Sequence, residues 1–221
     1  MSPVEPNRKD ADRSLVRACQ EGDGERFEAA FEALYARYSD RVYSIAYRVT
    51  GSATDAMDVM QESFALLFRK IDSFRFDAQF STWLFRIVVN CSIDHMRHER
   101  SRGAGKAASL AQLTPAGEPA FDEADGPRQR AEHRELSSHV RRSIYRLSPK
   151  LRAVLVLRYL EGQTYEELSA TLDVSMGTVK SRLARAHMAM ERILDGSLQS
   201  HGLHSRGRDA DKSPTGSEGV A

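Results

Sequence analysis

One stretch restricts the fold more than any other: TYEELSATLDVSMGTVKSRLARA, from Thr164 to Ala186. Thr164 and Glu167 have the spacing of a capping box, in which hydroxyl and carboxylate satisfy each other's free backbone amides. Leu168 and Leu172 follow at a helical step and face a core. Asp173 and Val174 make the turn, and Ser175 is placed to cap the next helix. That helix repeats apolar residues at Val179, Leu183, Ala186, Met190 and Ile193, a 4-3-4-3 series that buries one stripe. The opposite face presents Lys180, Ser181, Ala184 and Arg185, with His187 or Met188 at its edge.

Two helices joined by a short turn, the second one basic, describe a helix-turn-helix whose second helix enters the major groove. Arg and Lys reach guanine acceptors or phosphates, Ser contacts either, and a small Ala184 lets the backbone come close. Thr164 and Tyr165 open the preceding helix, whose first amides suit a phosphate, and Arg158 is placed to add a backbone contact. A charge run alone usually marks a solvated helix face. The capping box, turn and second amphipathic helix together outweigh that explanation.

Upstream, apolar residues fall at Phe27, Phe31, Leu34, Tyr35, Tyr38, Val42, Ile45, Ala46 and Val49, predicting one helix that Gly51 ends. A second helix, from Ser52 to Asp55 onward, is expected to bury Met60, Phe64, Leu67, Phe68 and Ile71. The loop DSFRFDAQF follows, and Ser81 is placed as the N-cap of a third helix, TWLFRIVVNCSIDHMRHER. Residues 1–24 form a polar N-terminal segment, the first dozen of them a tail. Between 101 and 129, Gly103, Gly105, Pro115, Gly117, Pro119, Gly126 and Pro127 break every period and predict a flexible linker. Helical pattern resumes near Arg130, and Ser148-Pro149 restarts a helix that runs through Leu160 to Gly162. A disordered tail is expected over 197–221. The predicted fold class is all-α: two small helical domains, 25–100 and 130–196, joined by the linker, the second a helix-turn-helix.

Net charge is only +1, so the distribution of charge is the informative quantity. Residues 174–192 carry Lys180, Arg182, Arg185 and Arg192 against Glu191, whereas 55–62 carry Asp55, Asp58 and Glu62 and no base. With Gln61, those three acids form an outward acidic-polar face suited to docking on a basic helical partner. On the third helix Trp83, Arg86, Asn90, Asp94 and Arg97 share a strip about 80° wide. Such a strip suits a junction where duplex DNA is forced apart: the aromatic stacks on an unpaired base, Arg holds phosphate and Asn bonds a base edge. Phe74, Arg75, Phe76 and Gln79 of the preceding loop can accept an extruded base, although Trp83, Phe74 and Phe80 equally complete a core.

Cys19 and Cys91 form no C-x-x-C pair, which argues against a disulfide scaffold or zinc finger. Cys91, His95 and His98 share a helix face without a visible fourth ligand, so no metal site is expected. No segment approaches the ~18 apolar residues of a membrane span, and the polar start has no signal-like apolar run, pointing to a cytoplasmic protein.

Two blocks, over about 25–100 and 130–195, resemble the bacterial sigma-70 family, in particular its small extracytoplasmic-function (ECF) group. The first is carried by Phe31, Leu34, Tyr35, DAMDVMQESF and FSTWLFRIVVNCSIDHMR, the second by LSPKLRAVLVLRYLEGQTYEELSATLDVSMGTVKSRLARA. The resemblance implies a promoter-specificity subunit that binds core RNA polymerase at its β′ clamp helices and β flap. It further implies melting of promoter DNA, initiation at a stress- or signal-responsive regulon, and control by an anti-sigma factor. Asp58, Gln61 and Glu62 fall where the family docks on the clamp helices, with Met57 standing where an acid is common. The loop from Asp72 to Gln79 and the strip with Trp83 and Asn90 fall where it melts and reads the −10 element. Arg158, Tyr165, Lys180, Ser181, Ala184 and Arg185 match its −35-reading positions.

An operator-binding regulator would use the second block and leave the acidic helix, the Trp83 strip and the loop without a task. A recombinase-like enzyme is unsupported: no phosphate-cradling Gly-rich loop, H-E-x-x-H motif or two-metal acid cluster is present. The chain therefore reads as a non-enzyme without cofactor or small-molecule substrate.

Overall fold

The computed structural model describes residues 8–102, 140 and 143–200. Its named elements are helical throughout, as the periodicity predicts. Most of the expected linker, the restart near Arg130 and the tail beyond Ser200 lie outside the described residues.

Helix α1 (Arg8–Glu21) occupies most of the segment expected to be polar and peripheral. Val16 and Cys19 are buried, and Asp12 is buried too because Arg37 and the Tyr38 hydroxyl donate to its carboxylate at 2.8 and 2.5 Å. Helix α2 (Gly24–Thr50) buries Leu34, Tyr38, Val42, Ile45 and Val49 along one stripe. Gly51 ends it in the left-handed conformation at φ 86°, its amide returning to the Tyr47 carbonyl at 2.8 Å.

Helix α3 (Ala53–Lys70) starts at Ser52, whose hydroxyl accepts from the Asp55 amide at 3.3 Å. It buries Met60, Phe64 and Leu67, and Ile71 is buried in the 3-10 turn Ile71–Ser73. Phe68 departs from expectation, at 55% exposed. Helix α4 (Phe80–Arg102) begins one residue before Ser81. The Trp83 amide bonds the Gln79 carbonyl at 3.2 Å, so Gln79 takes the cap position in place of Ser81.

The second module comprises α5 (Pro149–Tyr159), α6 (Tyr165–Leu172) and α7 (Met176–Ser200). Pro149 opens α5 after Ser148, although the Ser148 side chain makes no capping bond. Helix α7 runs on through 197–200, where a disordered tail was expected to begin. A helix apolar all round belongs inside a core. Helix α5 approaches that limit: Ala153, Val154, Leu155, Val156 and Leu157 are all buried, between α2 on one side and α7 on the other. One apolar core therefore runs continuously through both modules.

Arg152, on the same buried helix, is only 2% exposed. Its guanidinium donates to the Val49 carbonyl at the end of α2, to Tyr145 at 2.6 Å and to Leu147 at 3.3 Å. Burial lowers its pKa to about 10, so it stays charged at neutral pH and offsets the negative end of α2. Replacement by Met strands these carbonyls. The expected cost is about 2–3 kcal/mol of unfolding free energy, read from urea denaturation of Arg152→Met.

Candidate nucleic-acid interface

The turn that orients α7 is built as its sequence predicts. The Thr164 hydroxyl accepts from the Glu167 amide at 3.2 Å, and the Glu167 carboxylate accepts from the Thr164 amide at 2.9 Å. The Thr164 hydroxyl is thereby committed to the cap, and Tyr165 beside it is exposed as well. Arg158 is engaged internally as well, donating to the Gln163 carbonyl at 2.6 Å and lying 5.3 Å over the Tyr165 ring. Asp173 takes the left-handed conformation at φ 53°, and the Ser175 hydroxyl accepts from the Thr178 amide at 3.2 Å.

On α7, Val179, Leu183 and Ala186 are buried, whereas Lys180, Ser181, Ala184 and Arg185 are exposed together. Arg185 lies along the helix, its Nε donating to the Ser181 carbonyl at 3.2 Å. Beside the expected edge of His187 and Met188, sequence reasoning missed two exposed neighbours: Tyr159, whose hydroxyl is 2.9 Å from His187 Nε2, and Leu160.

In the first module, the loop before α4 opens onto a cleft of about 500 Å³. Phe74 is buried and forms its floor, packed 5.2 Å from Trp83 and 5.8 Å from Phe80 between ring centroids. Trp83 is half-buried, so it completes the core and still borders the surface strip. Phe76 is half-buried at φ 61°, and Arg75 is exposed. Asn90 is exposed on the same strip, and Arg97 pairs with Asp94 at 2.9 Å.

The second module reaches this surface. Gln79 donates to Glu167 at 3.1 Å, Arg86 pairs with Asp173, and Glu166 and Ala170 close one side of the cleft. Arg41 pairs with Glu161 through an Nε contact of 2.9 Å. Two of the predicted strand-opening residues, Gln79 and Arg86, are thus held by the helix-turn-helix.

On α3, Asp58, Gln61 and Glu62 are exposed as expected. Asp55 is a correction: it is half-buried and turned toward α4, 3.5 Å from His95 Nε2. Sequence reasoning also missed the apolar part of this face. Met57, Gln61 and Phe68 lie within about 40° of one another, and Met57 and Phe68 are both exposed. The Phe68 ring meets Phe27 and Phe31 at 5.1 and 5.5 Å, and the exposed Tyr35 meets Phe64 at 4.6 Å. Met57 at that position makes the face more apolar, and acids rim it.

Burial raises the Cys91 thiol pKa, and among the described residues no three His, Cys, Asp or Glu side chains are grouped to hold a metal. No described helix is long and apolar enough to cross a membrane.

Residues 34–102 match the family model for Sigma-70 region 2, and residues 139–190 match that for Sigma-70, region 4. The RNA polymerase sigma-H factor of Pseudomonas aeruginosa is 31% identical over 188 residues, covering 84% of this chain and 95% of that protein. The ECF RNA polymerase sigma-E factor of Escherichia coli K12 is 37% identical over 182 residues, covering 81% and 92%. The chain belongs to the ECF group of the sigma-70 family. Among solved structures, CnrH in complex with the cytosolic domain of CnrY aligns with a TM-score of 0.58 at 27% identity, over 85% of this chain and 99% of that one. The sigma factor RpoE of Bartonella quintana, in complex with the anti-sigma factor NepR, shares the fold with a TM-score of 0.57 at 22% identity, over 75% and 96%.

In this sigma factor, region 4 therefore lies against region 2, and the contacts between them differ in strength. Arg86 and Asp173 are largely solvated, so their pair contributes little; the Glu161 side chain is only 8% exposed and its pair contributes more. Removing both, in Glu161→Gln with Asp173→Asn, is expected to shift the closed–open balance roughly fivefold toward open, equivalent to about 1 kcal/mol. Small-angle scattering reads this as a larger radius of gyration, and an unchanged radius counts against these pairs as ties.

Proposed function

We propose that this sigma factor docks on core RNA polymerase through the exposed face of α3, holds the −35 duplex with α7, and captures unpaired −10 bases in the cleft before α4. Supporting this is one combination: a basic recognition face on one module and, on the other, an aromatic cleft at the start of α4 with the exposed Asn90 farther along the same helix. The chemistry of transcription belongs to the polymerase. This chain supplies the address and the strand separation.

Domain assignment follows the same logic: 25–100 as the core-binding and −10 unit, 130–196 as the −35 unit, and 101–129 as the tether between them. A tether is needed. Elements about 25 base steps apart lie ~85 Å apart at 3.4 Å per step, whereas a compact chain of ~160 residues has a radius of gyration near 15 Å. Docking on polymerase must then draw region 4 off region 2 and free Gln79 and Arg86. The neighbouring CnrH–CnrY and RpoE–NepR structures are complexes. By that likeness an anti-sigma factor holds the free chain, with the Met57–Phe68 face among its natural targets.

Run-off transcription with purified core polymerase across a genomic promoter library tests the whole reading, with permanganate probing for opened thymines. Association with an operator in the absence of core, and no association with core, would favour a regulator instead. Arg185→Ala is expected to weaken −35 recognition by roughly 1–3 kcal/mol. Asn90→Ala should spare the closed complex and impair melting. Asp58→Arg should weaken core binding with the thermal unfolding midpoint unchanged, since that position is exposed.

A further inference from the structure

Helix α1 precedes the region 2 match, which begins at residue 34. It nevertheless meets the −10 loop at several points. Gln20 Nε2 donates to the Ile71 carbonyl at 2.8 Å and to the Phe74 carbonyl at 2.9 Å, so one amide fixes both ends of the turn that leads into the loop. Asp12, a little over two helical turns earlier, anchors α1 to α2 through Arg37 and Tyr38. Between these anchors Arg13 and Arg17, one turn apart and both exposed, lie 5.1 and 5.7 Å over the ring of Phe76.

Phe76 takes a backbone conformation that L side chains rarely adopt, at φ 61°, and its ring packs 5.0 Å from that of Phe74. One cation over a ring face is attracted by its quadrupole. A second cation on the same ring adds mutual repulsion that an anion lying between the two would relieve. Neither arginine has an ion-pair partner among the described residues. On their own helix Asp12 is already neutralised by Arg37, and the exposed Glu21, four residues after Arg17, makes no ion pair with it among the described residues. Of the other acids lining the cleft, Glu166 and Glu167 belong to region 4, which on the proposed mechanism withdraws, and Asp77 is exposed within the loop itself.

We infer that α1 completes the single-strand site: Arg13 and Arg17 bind phosphates of the displaced strand at the edge of the cleft, and Gln20 is a positioning residue that sets the loop. This rests on the proposed −10 role of that loop. Each phosphate contact on a single strand contributes about 0.7 to the slope of log affinity against log salt.

The test uses holoenzyme assembled from core polymerase and the full chain. The probe is a fork-junction DNA whose upstream part is duplex and whose non-template −10 segment is single-stranded, taken from a promoter that the wild-type holoenzyme opens. The double variant Arg13→Gln with Arg17→Gln is expected to lower the salt slope by about 1.4, with the slope on a −35 duplex probe unchanged. Gln20→Met should narrow the discrimination between matched and mismatched −10 bases while core affinity and the salt slope hold. Wild-type slopes in the double variant, or unaltered discrimination in Gln20→Met, would overturn the inference while wild-type opening keeps the broader reading intact. A wild-type holoenzyme that neither opens promoters nor binds the fork overturns the broader reading itself.

Discussion

The carbonyl end of α2 decides how the two modules meet. A helix leaves its last carbonyls without partners, and in a core those groups must find donors. Gly51 turns back to satisfy Tyr47, and the buried guanidinium of Arg152 satisfies Val49 from across the chain. Tyr145 closes over the turn so tightly that a Cβ on Gly51 would lie 2.9 Å from its ring. Gly51 thus depends on Tyr145 and Arg152, a pair far from it in the sequence. Helix α5, which has almost no polar face of its own, stays dry on both sides because of them.

Region 4 grips region 2 by two kinds of contact. Against α2 the contact is mainly apolar, with the buried Arg152 held by carbonyls and the Arg41–Glu161 pair beside that apolar surface. Against α4 it is polar: Gln79 with Glu167, and Arg86 with Asp173, the latter pair well solvated. Salt screens the second kind and barely touches the first. Most of the free energy that resists opening therefore lies at α5, away from the surface proposed for unpaired −10 bases.

Local rules made much of this legible in the sequence. The capping box at Thr164, the 4-3-4-3 stripe of α7 and the left-handed stop at Gly51 each need only neighbours within a turn or two. What escaped depends on distant partners. Helix α1 looks polar because its buried surface is small, and Asp12 is buried by Arg37 and Tyr38, which lie 25 and 26 residues on. Phe68 continues the apolar step of Phe64, yet it meets Phe27 and Phe31 of α2 with ring planes nearly perpendicular and stays 55% exposed. Asp55 shares the outward register of Asp58 but finds His95 on α4. No periodicity encodes Gln79 meeting Glu167, 88 residues away.

The polar groups that hold region 4 in place belong to its scaffold. Glu167 completes the capping box and also bonds Gln79; Asp173 forms the turn and also pairs with Arg86. Lys180, Ser181, Ala184 and Arg185 take no part in that contact and stay exposed. The closed chain consequently presents the surface proposed for duplex DNA while covering the one proposed for unpaired bases. Under the proposed mechanism this asymmetry sets an order. The −35 face is available throughout, whereas the −10 cleft becomes available only when polymerase has separated the modules, so strand capture waits for the machine that uses it.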